Sequence, residues 1–159
     1  MSGWDVTGLE RLSRSYGYRD HGYVFDQMNG AQSRFVAFLI NIHKVTSAED
    51  ADAYVQRLRG LGPVLRQLLA VSESRAAKGF LPPKWVYPYV QSDVRNVLKG
   101  APFEAGPDSA LLADVKAKVT ALKLPPAEEA RLVAAAGAAL VEVVKPAYLD
   151  VVAALTAQA

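Results

Sequence analysis

The sequence predicts an all-α fold, an irregular multi-helix bundle with a long C-terminal helix kinked near Pro146, and three observations carry that expectation. Apolar residues recur at three- and four-residue steps along most of the 159-residue chain, as they do on the buried face of a helix. Capping patterns and prolines stand where helices begin. Alternating apolar and polar runs, the mark of half-buried strands, do not occur.

The elements follow in order. Val6, Leu9 and Leu12 behind Asp5 predict a short amphipathic helix over residues 5–14. Residues 15–29 are rich in tyrosine and glycine without a helical period and are expected to form an ordered connector. Residues 32–43 are apolar almost without a break and are read as a buried helix, since no partner strand is evident. Thr46 and Glu49 have capping-box spacing, so a helix is expected to start there. Its apolar face (Ala51, Tyr54, Val55, Leu58, Leu61, Leu65, Leu68) runs to Ser72, with Gly79 as the terminating glycine. Gly60, Gly62 and Pro63 interrupt that run and predict a bend or a short break between two helices.

Pro82 and Pro83 predict a helix over residues 83–98 that is irregular until Tyr89 because Pro88 falls within its first turn or so. Residues 100–107 form a loop, and Asp108 or Ser109 caps a helix carrying Leu111, Leu112, Val115 and Val119. The last helix, residues 126 to about 157, keeps Leu132, Ala136, Leu140, Val144, Ala147, Val151 and Leu155 on one face. Straight, it would be about 48 Å long, against a diameter of roughly 39 Å for a compact chain of this size. It must kink or project. The three resulting segments are residues 1–45, 46–100 and 101–159, within one domain or part of a larger one. The face formed by Ala136, Leu140, Val144, Val151 and Leu155 is expected to be incompletely covered and to support self-association or contact with the remainder of a parent protein.

Composition narrows the chemistry. With no cysteine, disulfide scaffolds and zinc ribbons are excluded. The longest uncharged stretch, residues 132–141, is half of what a bilayer span needs, so no membrane span is expected. Residues 1–10 have neither the basic nor the apolar region of a signal peptide, which makes a cytoplasmic location the default. The net charge of +2 is unevenly distributed: residues 57–99 hold eight basic groups against two acidic ones, a local +6. These charges are dispersed among apolar residues, so they are read as an ordinary solvated face with weak, unspecific attraction to polyanions.

The two histidines, His21 and His43, are far apart in sequence. There is no HExxH, no glycine-rich phosphate loop and no GxSxG elbow. His43, at the end of an apolar run, is expected to cap the C-terminus of that helix through its dipole. His21 is expected at the surface. The stretch from Asp26 to Gln32 gathers amides and a carboxylate around a turn, which suits a hydrogen-bonded connector or the lining of a cleft. Trp85, Tyr87 and Tyr89 form either core or an aromatic binding surface.

Several pieces together resemble one large bacterial family. Asp26-Gln27-x-Asn29-Gly30-x-Gln32, Phe38-Leu39-Ile40-Asn41-x-His43 and Asp50-Ala51-x-Ala53-Tyr54-x-x-Arg57-Leu58 occur in order, followed by Gly79-x-x-Pro82-Pro83 with Val86, and by Val144-x-Pro146-Ala147-Tyr148. This order resembles the family catalogued as domain of unknown function 885, over residues 26–155. The resemblance implies a mostly helical protein of several hundred residues, similar to zinc metallopeptidases, with an HExxH-type helix C-terminal to the part matched here. It therefore implies no catalytic residue, metal ligand or cofactor in this chain, with zinc belonging to the full-length protein. An exported parent is the alternative to the cytoplasmic default. The matched region would be scaffold and one wall of a cleft for a peptide substrate, with Asn29, Gln32, Asn41 and His43 as the cleft candidates. A free-standing helical interaction module, such as a homodimer, is the alternative. Binding of nucleic acid or an anionic surface through residues 57–99 is the third reading.

Overall fold

The computed structural model describes Phe25 and residues 30–159. The expected N-terminal helix, most of the connector, His21 and Asn29 lie outside the described residues. Helix occupies 75% of what is described. No strand occurs among the described residues, and the one isolated bridge, Ala101 with Asp108, closes a loop.

Helix α1 (Ala31–Asn41) buries Ala31, Gln32, Phe35 and Leu39. Helix α2 (Ala48–Ala77) starts one residue later than the sequence pattern indicates. Ser47, in extended conformation, accepts from the Asp50 amide at 3.2 Å, while the Asp50 carboxylate accepts from the Thr46 amide and hydroxyl at 3.0 and 2.7 Å. The cap is thus Ser47 on the Asp50 amide, with the Asp50 carboxylate reaching back to Thr46, in place of Thr46 with Glu49. Its hydrogen bonds, those from Thr46 foremost, hold the Asp50 carboxyl below the usual carboxylate range.

The expected break at residues 60–63 does not occur, for α2 continues as one 30-residue helix through Pro63. Proline costs a helix one hydrogen bond, but Leu58, Leu61, Leu65 and Leu68 stay buried on one face on both sides of it. Gly62 has a packing role. A Cβ there would lie 2.6 Å from Val143 Cγ1, so glycine admits the C-terminal helix to close contact. The end of α2 does follow the sequence. Gly79, at φ +86°, donates to the Ala76 carbonyl and Phe80 to that of Arg75, a paired closure that satisfies two of the last carbonyls.

Helix α3 (Val86–Val97) begins three residues after the expected Pro83, whose carbonyl instead accepts from the Val86 amide at 2.9 Å. Pro88 is harmless because it sits in the first turn, where amides have no intrahelical acceptor. Of the two candidate caps for α4 (Ala110–Ala121), Ser109 serves, accepting from the Leu112 amide.

Helix α5 (Pro126–Ala139) opens with proline at its first turn and runs into a π-helical turn, Leu140–Val144, followed by α6 (Lys145–Gln158). The Lys145 amide reaches back five residues to the Leu140 carbonyl. The kink expected near Pro146 is realised in this wide turn, which lies where the proline ring would otherwise press on the preceding backbone.

Helix α2 lies along α5, the π turn and α6, α3 packs against α1 and α6, and α4 against α5. One core runs through all of them. Asp52–Arg131, Arg59–Glu142 and Arg66–Asp150 form ion pairs at seven-residue steps of α2, at 3.2, 3.4 and 3.5 Å. They are exposed, so they add register more than stability. This packing overturns the expectation of an open apolar face. Ala136, Leu140, Val144, Val151 and Leu155 are all 1% exposed or less. The outward face of the same helix instead presents Val141 and Leu149. The helical stretch Pro126–Gln158 is long and apolar enough, by length and composition, to cross a membrane. Packing of its buried face on α2 accounts for that apolarity inside the fold.

Candidate functional site

Of the sequence-derived candidates, the described residues include Gln32, Asn41 and His43, and these three do not converge. Gln32 lies in the first turn of α1 and His43 just beyond its end, about 16 Å apart along the axis. Asn41 is exposed at the C-terminus of α1. The structure distributes the three to separate surroundings.

Gln32 is fully buried and ties three helices together. Its side-chain amide donates to Asp93 of α3 at 3.1 Å, and its backbone carbonyl accepts from the Tyr148 hydroxyl of α6 at 2.7 Å. These bonds hold α1 to α3 and α6.

His43 is 7% exposed and stands edge-on to the Tyr54 ring, at 5.1 Å between centroids. Arg57 donates to its Nδ1, and its Nε2 lies 3.3 Å from the Asp50 carbonyl oxygen. A guanidinium can only donate, so Nδ1 must accept and the proton sits on Nε2, facing the carbonyl. His43 is therefore not the expected dipole cap. Lys118 of α4 has that role, donating to the Leu39 and Ile40 carbonyls at 2.8 and 3.2 Å. Asp114 pairs with Lys118 and accepts from the Tyr54 hydroxyl, both at 2.8 Å. Arg57 also lies over the Phe38 ring, 5.5 Å from its centroid.

Tyr54, Asp114, Lys118 and Arg57 were not among the candidates because their spacing in sequence carries no signal; only the packing of α1, α2 and α4 joins them. Arg57 and Tyr54 did stand in the pattern that resembles the family.

Two buried phenols give this core a pH dependence. Burial pushes the pKa of Tyr54 above the usual phenol range, with the bond to Asp114 adding to it, and burial alone does the same for Tyr148. Because the folded state keeps both phenols neutral, their contribution is complete below about pH 10, the value in an unfolded chain. It is lost as pH rises further, by up to about 1.4 kcal/mol per pH unit for each tyrosine. Denaturant midpoints should fall above pH 10, and the fall should be shallower in Tyr54→Phe and Tyr148→Phe.

The aromatic segment divides. Tyr87 is buried, whereas Trp85 and Tyr89 are each 58% exposed and pack edge to face at 6.2 Å. Among the described residues, no group of three His, Asp or Glu side chains is placed to hold a metal ion. His43 does not suit a zinc ligand, since one nitrogen faces a guanidinium and the other a carbonyl.

The crystal structure described as that of "the putative lipoprotein from Colwellia psychrerythraea" shares this fold, with a TM-score of 0.76 at 20% identity. The match covers 86% of this chain and 23% of that one, so the chain spans less than a quarter of that neighbour's length. No curated protein matches the chain. A family model described as bacterial protein of unknown function (DUF885) matches residues 6–159, nearly the whole sequence, and the chain belongs to that family.

Proposed function

We propose that these residues are the helical scaffold of a longer family protein, and that they form one wall of a cleft in which metal-dependent peptide hydrolysis is carried out by residues outside this chain. The observation that supports this reading most is the match in fold over most of this chain but only 23% of its structural neighbour. The polar groups described here are turned toward one another: Gln32 toward Asp93 and Tyr148, His43 toward Arg57, Asp114 toward Lys118 and Tyr54. They stiffen a wall and leave Asn41 as the cleft candidate with solvent access among the described residues. Zinc is assigned to the parent protein, and no step of chemistry to these residues. The lipoprotein description of the neighbour supports an exported parent.

The test compares the 159-residue chain with a longer form that includes the reading frame beyond Ala159. Stoichiometric zinc and chelator-sensitive peptide cleavage are expected only in the longer form. Metal-dependent hydrolysis by the 159 residues alone overturns the proposal. A longer frame without a metal-binding helix also overturns it, in favour of a helical interaction module, for which the exposed Val141 and Leu149 on the C-terminal helix are candidate contacts.

A further inference from the structure

The loop from α2 to α3 and the outward face of α3 gather most of the large apolar side chains that the described residues leave in water. The paired closure at Gly79 turns the chain away from α2. Phe80 and Leu81 follow at 53% and 42% exposure, and Trp85 and Tyr89 stand out one helical turn apart. On the other side of α3, Val86, Val90 and Val94 are buried, so the orientation of the exposed rings is fixed by the core. Clustered exposure of this kind marks an interaction surface more than an accident of packing.

Charge indicates what the surface meets. No Asp or Glu occurs from Ser74 to Ser92, while Lys78 and Lys84, both exposed, bracket the apolar loop. That charge is complementary to an anionic partner. Trp85 and Tyr89 are amphipathic rings that favour the boundary between headgroups and acyl chains, and lysines beside them reach lipid phosphates while Phe80 and Leu81 enter the apolar layer. A single-stranded nucleic acid fits less well, because stacking on successive bases needs open ring faces in series. Trp85 and Tyr89 are instead set at 85° to one another. We propose that residues 78–89 form a peripheral docking surface for anionic phospholipid bilayers, independent of any peptidase role.

Sedimentation of the 159-residue chain with vesicles tests this. Binding to phosphatidylglycerol–phosphatidylcholine vesicles should exceed binding to phosphatidylcholine alone by roughly tenfold or more, and should weaken as salt rises. At about fivefold per lysine, the pair Lys78→Glu and Lys84→Glu should abolish the preference for anionic vesicles. The pair Phe80→Ser and Trp85→Ser should remove most binding without changing helix content, since both side chains are exposed. With Trp4→Phe as background, the emission of Trp85 should shift to the blue on vesicles. Equal binding to both vesicle types, full binding by the Phe80→Ser, Trp85→Ser protein, or an unshifted Trp85 emission would overturn the proposal. Binding of oligothymidylate or patch-dependent dimerisation in place of vesicle binding would overturn it as well.

Discussion

Leu140→Glu is expected to unfold the chain, not to dissolve an oligomer. Leu140 is fully buried at the start of the π turn, where α2 lies against the C-terminal helix. Removing a core leucine costs about 2–5 kcal/mol in lost burial and cavity. A carboxylate in the same space adds several more, because it must either go unpaired or take up a proton. The total approaches the roughly 5–15 kcal/mol that holds a whole domain together. Circular dichroism should show lost helix and light scattering an expanded or aggregated species. Leu149→Glu is the control, for that side chain is 49% exposed and its replacement should change stability by less than about 0.5 kcal/mol. A Leu140→Glu protein with native helix content and only weaker self-association would contradict the packing of the π turn.

The difference between these two leucines shows where sequence reading stops. A four-residue period gives a helix and its apolar stripe, and by that route Leu132 through Leu155 were legible as one face. Whether the face is covered depends on what lies opposite, and the partner here is α2, far earlier in the chain, with the paired Arg59 and Glu142 standing 83 residues apart. Pro63 was legible as a helix breaker, yet the cost of one hydrogen bond is small against four leucines in register, and Gly62 serves the approach of Val143. The π turn has no pattern of its own in the sequence. It follows from fitting Pro146 into a helix whose two ends are both held by the core.

The candidate site was less legible than the fold. Amides and imidazoles draw attention as chemistry, whereas what the structure shows of Gln32 and His43 is their ties between helices. Lys118 and Asp114 look like one more pair on a solvated helix, four residues apart. Their role appears only when the C-terminus of α1 is brought against α4, so that a lysine becomes the cap of a helix remote in sequence.

Asp114→Ala should therefore cost far more than the loss of an exposed pair. One carboxylate oxygen serves both the Tyr54 hydroxyl and the Lys118 ammonium, and the tyrosine is fully buried. Leaving a buried hydroxyl without its acceptor costs about 1–3 kcal/mol. Loss of the Lys118 partner, whose side chain is 20% exposed, adds less because water can reach it. A total of about 3 kcal/mol is expected from denaturant titration. Tyr54→Phe made in the Asp114→Ala background should be nearly neutral, since the orphaned hydroxyl is then gone, whereas the same change in the native chain should be costly. The coupling between the two positions separates a specific bond from general loss of packing. If the two changes simply add, the tyrosine and the aspartate do not act together, and the tie between α2 and α4 must rest on the apolar contacts of Val115 and Val119 instead.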